Sequence, residues 1–383
     1  MQTFFDKYKI EDNVLAVGVS GGSDSLALVL RLDEFLRPLG KKIIALTVDH
    51  QLRPESADEA AYVHCLMQKY DIEHHTLVWE GRKPKTGIEE AARKARYQLL
   101  RDWCLTHNVH CLCVAHHKLD QAETFLMRLQ RGSGLNGLCG MQAVSELYGL
   151  KIVRPFLNEN PDDLKAYLKS KHIKWVTDNS NNCDDFLRVR IRKFLPLLEI
   201  ETGITVQRLV DTMAVLQRSR DYIEKQTHKF IKNHVRFWDG VGASVLLSVL
   251  GQQHEEIVYR VLTDLIKKIG QNDYTPRAED IERLSCCLRE KFEGIEFSTV
   301  KLDGLVELKN NMACCDFKGA TLGHCEIFIA QSKLWIAPEL KLKTKMPKKV
   351  WENYLTLYPE YARLKLPYKL RVALVKSKMN VEF

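Results

Sequence analysis

The run Ser20-Gly21-Gly22-Ser23-Asp24-Ser25 constrains this chain more than any other segment. It follows a short, β-branched, nearly continuous apolar stretch at 14–19 and opens directly into Leu26-Ala27-Leu28-Val29. A buried strand that turns at once into an apolar helix needs glycines, both for the tight turn and for the close approach of an anion to the main chain. Unpaired N–H groups and the positive end of the helix dipole then hold phosphate, with three serine hydroxyls to help. The plainer alternative is a serine-rich turn in which Asp24 caps the helix. No Gly-Lys-Ser/Thr ends the loop, so it is not a Walker A motif and kinase-like transfer of a γ-phosphoryl group is not expected.

The surroundings of the loop set the fold class. Apolar runs at 43–48 and 111–115 resemble the one at 14–19, and helical patterns fall at about 24–37, 56–70, 88–107 and 119–131. Strands alternating with helices predict an α/β fold with a doubly wound parallel sheet, whose sites lie at the C-terminal strand ends. From about 205 to 292 the pattern turns helical with few strand signals, and after 295 short strand-like runs at 325–330 and 334–336 predict a small mixed α/β domain. Three domains are therefore expected in the 383 residues: 1–200 catalytic, 205–295 helical, and 296–383 small and basic.

Charge locates a second function. The net charge is +8, with 57 Lys and Arg against 49 Asp and Glu, yet the whole excess sits after residue 340. That stretch carries Lys341, Lys343, Lys345, Lys348, Lys349, Arg363, Lys365, Lys369, Arg371, Lys376 and Lys378 against Glu352, Glu360 and Glu382. Trp351, Tyr354, Tyr358, Tyr361 and Tyr368 are interleaved with them, the composition of a nucleic-acid surface as well as of a solvated end. The eleven cysteines include no C-x-x-C pair, which argues against a disulfide framework and a spaced metal site; most are expected to be small buried hydrophobes. No apolar run is long enough to cross a bilayer and the first residues lack a signal-peptide pattern, so a cytoplasmic enzyme with no membrane partner is expected.

Four further segments carry polar groups to the expected strand ends. Asp49 and His50 follow the run at 43–48. In the helix at 88–100, Glu89, Arg93 and Arg96 share a polar face, with Ile88, Ala92, Ala95 and Leu99 toward the core. In the segment from His116 through Thr124, Asp120 and Glu123 project together, able to bind a metal or orient an ammonium group, while Ala122, Phe125, Leu126 and Leu129 form the buried stripe. Arg128 and Arg131 precede a stretch with glycines at 132, 134, 137 and 140, read as a mobile, phosphate-friendly loop.

The loop pattern S-G-G-x-D-S resembles the PP-loop ATP pyrophosphatase superfamily, and the segments together resemble the bacterial tRNA(Ile)-lysidine synthetase family. The match covers about 14–196 and includes Arg154-Pro155-Phe156-Leu157, Trp175, Asp178, Asn179-Ser180-Asn181 and Arg188-Val189-Arg190-Ile191-Arg192. Val189 stands where the family has asparagine. The resemblance implies a Rossmann-like PP-loop domain using ATP and Mg²⁺, and as partners a tRNA(Ile) with a CAU anticodon and L-lysine; a homodimer is left open. The implied reaction is adenylation of the C2 oxygen of the wobble cytidine, then attack by the lysine ε-amine. It assigns ATP to Ser20, Gly21, Gly22, Ser23, Asp24 and Ser25, with Asp49, His50, Arg93, His116, Arg131 and Gly132. Asp24 and Asp120 would hold Mg²⁺, Asp120 and Glu123 metal or lysine, Arg128 the phosphates, and Arg188, Arg190 and Arg192 the tRNA. A PP-loop tRNA thiolase and a tRNA-binding protein with an inactive nucleotide site are the alternatives.

Overall fold

The structure, a computed structural model, describes residues 1–84, 86–147, 149–176, 187–238, 241–271, 276–293, 320–339, 346, 348–358, 368, 371, 372 and 375. Asp178, Asn179, Ser180 and Asn181 lie outside the described residues, as do all the basic residues after 340 except Lys348, Lys349 and Arg371. The chain divides into two compact units, Met1–Arg220 and Asp221–Phe383.

In the first unit the strands are β1 (Val14–Gly18), β2 (Lys42–Asp49), β3 (Glu73–Val78), β4 (Cys111–Cys113), β5 (Val144–Leu147) and β6 (Leu150–Val153). The helices are α1 (Gln2–Tyr8), α2 (Ser23–Leu36), α3 (Ser56–Lys69), α4 (Ile88–Thr106), α5 (Lys118–Gln130), α6 (Leu135–Leu138), α7 (Pro161–Ser170) and α8 (Leu187–Thr202). A ninth, α9 (Val206–His234), runs on past Arg220. The sheet order is β3-β2-β1-β4-β6-β5; all pairs are parallel except the β5–β6 edge. Because β1 lies between β2 and β4, the chain reverses its winding there, and a crevice opens at the C-terminal end of β1.

Strand side chains alternate between two cores. Leu15, Val17 and Val19 face α2, α3 and α7, whereas Ala16, Ile44, Leu46 and Leu112 meet Leu100 and Cys104 of α4. The buried positions of α4 are thus Ala95, Leu100 and Cys104; Ile88, expected in the core, is 39% exposed. On α5 the buried positions are Gln121, Ala122, Glu123 and Phe125, and Leu129 is half exposed. Of the described cysteines, 104, 111, 113, 139 and 325 are buried and 65, 286 and 287 exposed.

The second unit contains β7 (Val235–Trp238), β8 (Gly242–Leu246), β9 (Ala320–Leu322), β10 (Cys325–Ala330) and β11 (Lys333–Pro338). Its helices are α10 (Leu247–Gly251), α11 (Glu255–Ile269), α12 (Ala278–Glu293) and α13 (Lys348–Leu357). The sheet is antiparallel, in the order β7-β8-β11-β10-β9. Leu334 and Ile336 face α11 and α12, while Trp335 and Ala337 pack with Met346, Tyr354, Val372 and Val375. The hairpin of β7 and β8 falls inside the stretch read as helical, so one sheet draws strands from both sides of the boundary expected near 295.

Candidate functional site

The loop after β1 is tied by its own serine. Ser25 is buried; its hydroxyl accepts the Ser20 N–H at 3.1 Å, lies 3.2 Å from the Ser20 hydroxyl and donates to the Gly22 carbonyl at 3.0 Å. Gly21 has φ +81°, and a Cβ there would press on Val63 and Val176 at 3.3 Å. The cap position of α2 is Gly22, so Asp24 is not the cap; its carboxylate stays available.

Two cavities open at this loop. The smaller, about 150 Å³, is lined by Gly18, Ser20, Asp24, Arg93, Arg96 and His116, among others. The larger, about 720 Å³, also meets Ser20, Gly22 and Asp24, and is closed by Asp49, His50, Glu89 and Arg96. The expected residues Ser20, Gly22, Asp24, Ser25, Asp49, His50, Arg93 and His116 therefore converge. Arg131 and Gly132 do not: they sit exposed in the turn after α5, away from both linings.

Arg96 lines both cavities, and one guanidinium nitrogen lies 3.6 Å from where a Gly18 Cβ would stand. Burial and the charge of Arg93 lower its pKa, but a guanidinium keeps its proton. No carboxylate pairs with it among the described residues. Sequence reasoning placed Arg96 on the polar face of α4 and singled out Arg93; only the packing of α4 over Gly18 shows which arginine turns inward.

Adjacent histidines hold opposite charge preferences. His116 is pushed well below the usual imidazole range, by burial first and then by the charges of Arg154, Arg93, Arg96 and Arg188. Arg154 Nε donates to its Nδ1 at 3.3 Å, leaving Nε2 as the protonated nitrogen. His117, missed as a site residue, is raised: burial lowers it, but the contact with Asp24 and the charges of Asp120, Asp24 and Glu123 outweigh that. Its Nε2 lies 3.6 Å from Asp24 Oδ2; burial raises Asp24, but this contact and the His117 charge keep it below its ordinary value. The signal was present in the sequence as a capping box, His117 with Asp120 three residues on: Asp120 Oδ2 accepts the His117 N–H at 3.0 Å.

Three expected roles change with the geometry. Glu123 is fully buried, with Arg192 Nε 2.6 Å from one oxygen and Arg188 Nε 2.8 Å from the other, the latter off the hydrogen-bond line. In this arrangement the Glu123 carboxylate is engaged by Arg188 and Arg192, which remain part-exposed at 39% and 40%. Arg190 is exposed, and Val189 is buried. Arg128 donates to the Gly137 carbonyl at 2.7 Å and the Gly140 carbonyl at 3.0 Å, so it holds the glycine loop, not phosphate. Buried Gln121 clamps Met141 at both main-chain groups, and the loop contains α6, so the segment expected to be mobile is tethered. Asp49 is also used locally, accepting the Gln51 N–H at 2.8 Å, while buried His50 Nδ1 has no partner.

A glycine loop at the winding reversal of a parallel sheet defines a nucleotide-binding α/β domain, and residues 1–198 match the PP-loop domain family. Among curated proteins the chain is 33% identical to the tRNA(Ile)-lysidine synthase of Orientia tsutsugamushi over 72% of this chain and 63% of that one. It is 38% identical to that of Wolbachia pipientis wMel (70% and 62%), and 32% identical to that of Hyphomonas neptunium (86% and 83%). The chain belongs to the tRNA(Ile)-lysidine synthase family. It spans 63% and 62% of the length of the first two of these relatives.

Proposed function

We propose that this chain uses ATP to convert the wobble cytidine of a tRNA(Ile) with a CAU anticodon to lysidine. The observation that carries the reading is Arg96: a cation with no carboxylate partner among the described residues, set between two cavities beside a helix N-terminus, which is a site built for an anion. Relatives named tRNA(Ile)-lysidine synthase support the substrate.

In the first step the cytidine C2 oxygen attacks the α-phosphorus of ATP, the bond to the β-phosphate breaks, and pyrophosphate leaves. The loop at 20–25 holds that pyrophosphate through its remaining N–H groups and the Ser20 hydroxyl, with Ser25 bracing the turn. Arg96 and Arg93 neutralise the α-phosphate as charge develops. The larger cavity takes the adenosine, with buried His50 Nδ1 available to a polar edge of the base. His116, neutral, offers its Nε2–H toward the smaller cavity. In the second step the lysine ε-amine forms a bond to C2, the C2–oxygen bond to AMP breaks, and the amine gives up a proton.

Asp24 fits a Mg²⁺ ion: its carboxylate lines both cavities, and its neighbours are His117 and the Ser23 hydroxyl. Asp120 does not fit in this arrangement, since Oδ2 accepts the His117 N–H and Oδ1 faces Arg188. When bound, Mg²⁺ would supply charge neutralisation for the leaving pyrophosphate. Arg190 and the basic residues after 340 are the proposed tRNA contacts. The test is nucleoside analysis of a tRNA(Ile) transcript after incubation with ATP and labelled lysine. Label in the nucleoside supports the reading; pyrophosphate release without incorporation favours the thiolase alternative, and neither favours a tRNA-binding protein.

A further inference from the structure

A second cluster of ligating groups lies outside the phosphate loop. His64 of α3 and His74 of β3 meet with their Nδ1 atoms 3.1 Å apart, and the Nε2 of His74 lies 2.8 Å from the hydroxyl of buried Thr47. Two imidazoles that meet through like nitrogens hold one proton between them: one Nδ1 carries it and the other accepts. A divalent cation can displace that proton if the rings tilt so that both lone pairs converge on a point beside the line joining the two nitrogens.

We propose that His64 and His74 form a two-histidine site for a borderline divalent transition ion, Zn²⁺ or Cu²⁺, with water completing the coordination. At metal–nitrogen distances of about 2.0–2.1 Å, a 3.1 Å separation subtends roughly 98° at the ion, between the square-planar and tetrahedral values. The rings now meet nearly head-on, centroids 5.3 Å apart, so the exposed His64 has to turn through tens of degrees before both lone pairs can reach one ion. The Thr47 hydroxyl on the far nitrogen of His74 is the outer partner that fixes the ring of a ligating histidine. Nitrogen donors select such ions over Mg²⁺, which keeps the site chemically separate from Asp24. No group of three or more His, Cys, Asp or Glu positioned for a metal occurs among the described residues, so the protein would supply two ligands and water the rest. Thr47 also lines the larger cavity.

The experiment uses the full chain, stripped with a chelator and titrated calorimetrically with Zn²⁺ and with Cu²⁺ near neutral pH. One saturable equivalent is expected. His64→Ala and His74→Ala should each weaken it at least about tenfold, and Thr47→Val by roughly tenfold through loss of the outer partner. His64→Ala replaces an exposed helical residue by the best helix former, so folding is not at risk. His75→Ala is the control: Leu46↔His75 pairing turns it to the other sheet face, against Trp103, and its affinity should match the wild type. Equal affinity in the wild type, His64→Ala and His74→Ala, or no saturable binding by the wild type below about 1 mM, overturns the proposal.

Discussion

The two sheets of this chain differ in where they send their strand ends. In the first, the strands from β3 to β6 run parallel, so the residues following β1, β2 and β4 emerge on one edge; Ser20, Asp49 and His116 meet there without further help. In the second, antiparallel pairing alternates the ends, and both faces are packed, by α11 and α12 on one side and by the Trp335 and Tyr354 cluster on the other. Parallel topology concentrates chemistry at an edge, whereas the antiparallel sheet is a scaffold whose contribution is its surface. Substitutions at the first should remove reaction and spare stability; those inside the second should do the reverse.

The largest effect expected is at Asp24. Asp24→Asn should abolish pyrophosphate release from ATP and tRNA while leaving tRNA binding nearly unchanged, because the carboxylate faces the cavities and packs into neither core. Release above about a tenth of the wild-type rate would remove it from the chemistry. Next comes Trp335→Ala. This side chain is 2% exposed in the middle of β11, and its loss should cost about 3–5 kcal/mol of stability in urea unfolding. An undiminished midpoint would show that the cluster around Trp335 does not hold the second unit together.

The same contrast explains what the sequence disclosed. Strands β1, β2 and β4 were legible because burial on both faces makes them continuous apolar runs. β3, Glu-His-His-Thr-Leu-Val, was not: it is an edge strand, largely part-exposed, and its polar residues erase the pattern. β7 and β8 were hidden for a related reason, since one is an edge and the other is short and glycine-led. At the site, the strand-end rule and the resemblance together pointed to Asp24, Asp49 and His116, which the fold brings to one edge. Partner choice was not legible: whether Glu123 and Arg128 face a ligand or another part of the chain depends on how α8 and the glycine loop pack against α5, and local spacing carries no record of that.

A smaller effect tests that partner choice. Glu123 is fully buried, whereas Arg188 and Arg192 keep 39% and 40% of their side chains exposed. Removing an arginine strands a buried charge, but removing the carboxylate lets both arginines turn to water. Arg192→Ala should therefore cost about 1.5–3 kcal/mol, and the isosteric Glu123→Gln less. If Glu123→Gln leaves stability intact while adenylated tRNA accumulates, the carboxylate serves the lysine amine after all.

The smallest effect per substitution concerns the basic end. Deleting 341–383 is a poor test, because it also removes Met346, Tyr354, Val372 and Val375 from the cluster around Trp335 and would weaken binding by unfolding the unit. Neutralising Lys341, Lys343, Lys345, Lys376 and Lys378 to Gln, singly and then together, keeps Met346, Tyr354, Val372 and Val375 in the chain. Each lysine that touches a phosphate should lower the slope of log K against log salt by about 0.7–0.9, with an unchanged urea midpoint and no dependence on tRNA sequence. This follows from counterion release: a lysine that neutralises a phosphate frees a bound cation, and one that merely solubilises the chain frees none. Since residues 1–340 balance their charges, the combined variant removes most of the excess that could attract RNA at long range. An unchanged slope in the combined variant would make the basic end a solubilising segment, and would move RNA recognition to Arg190 and the surface of the first unit.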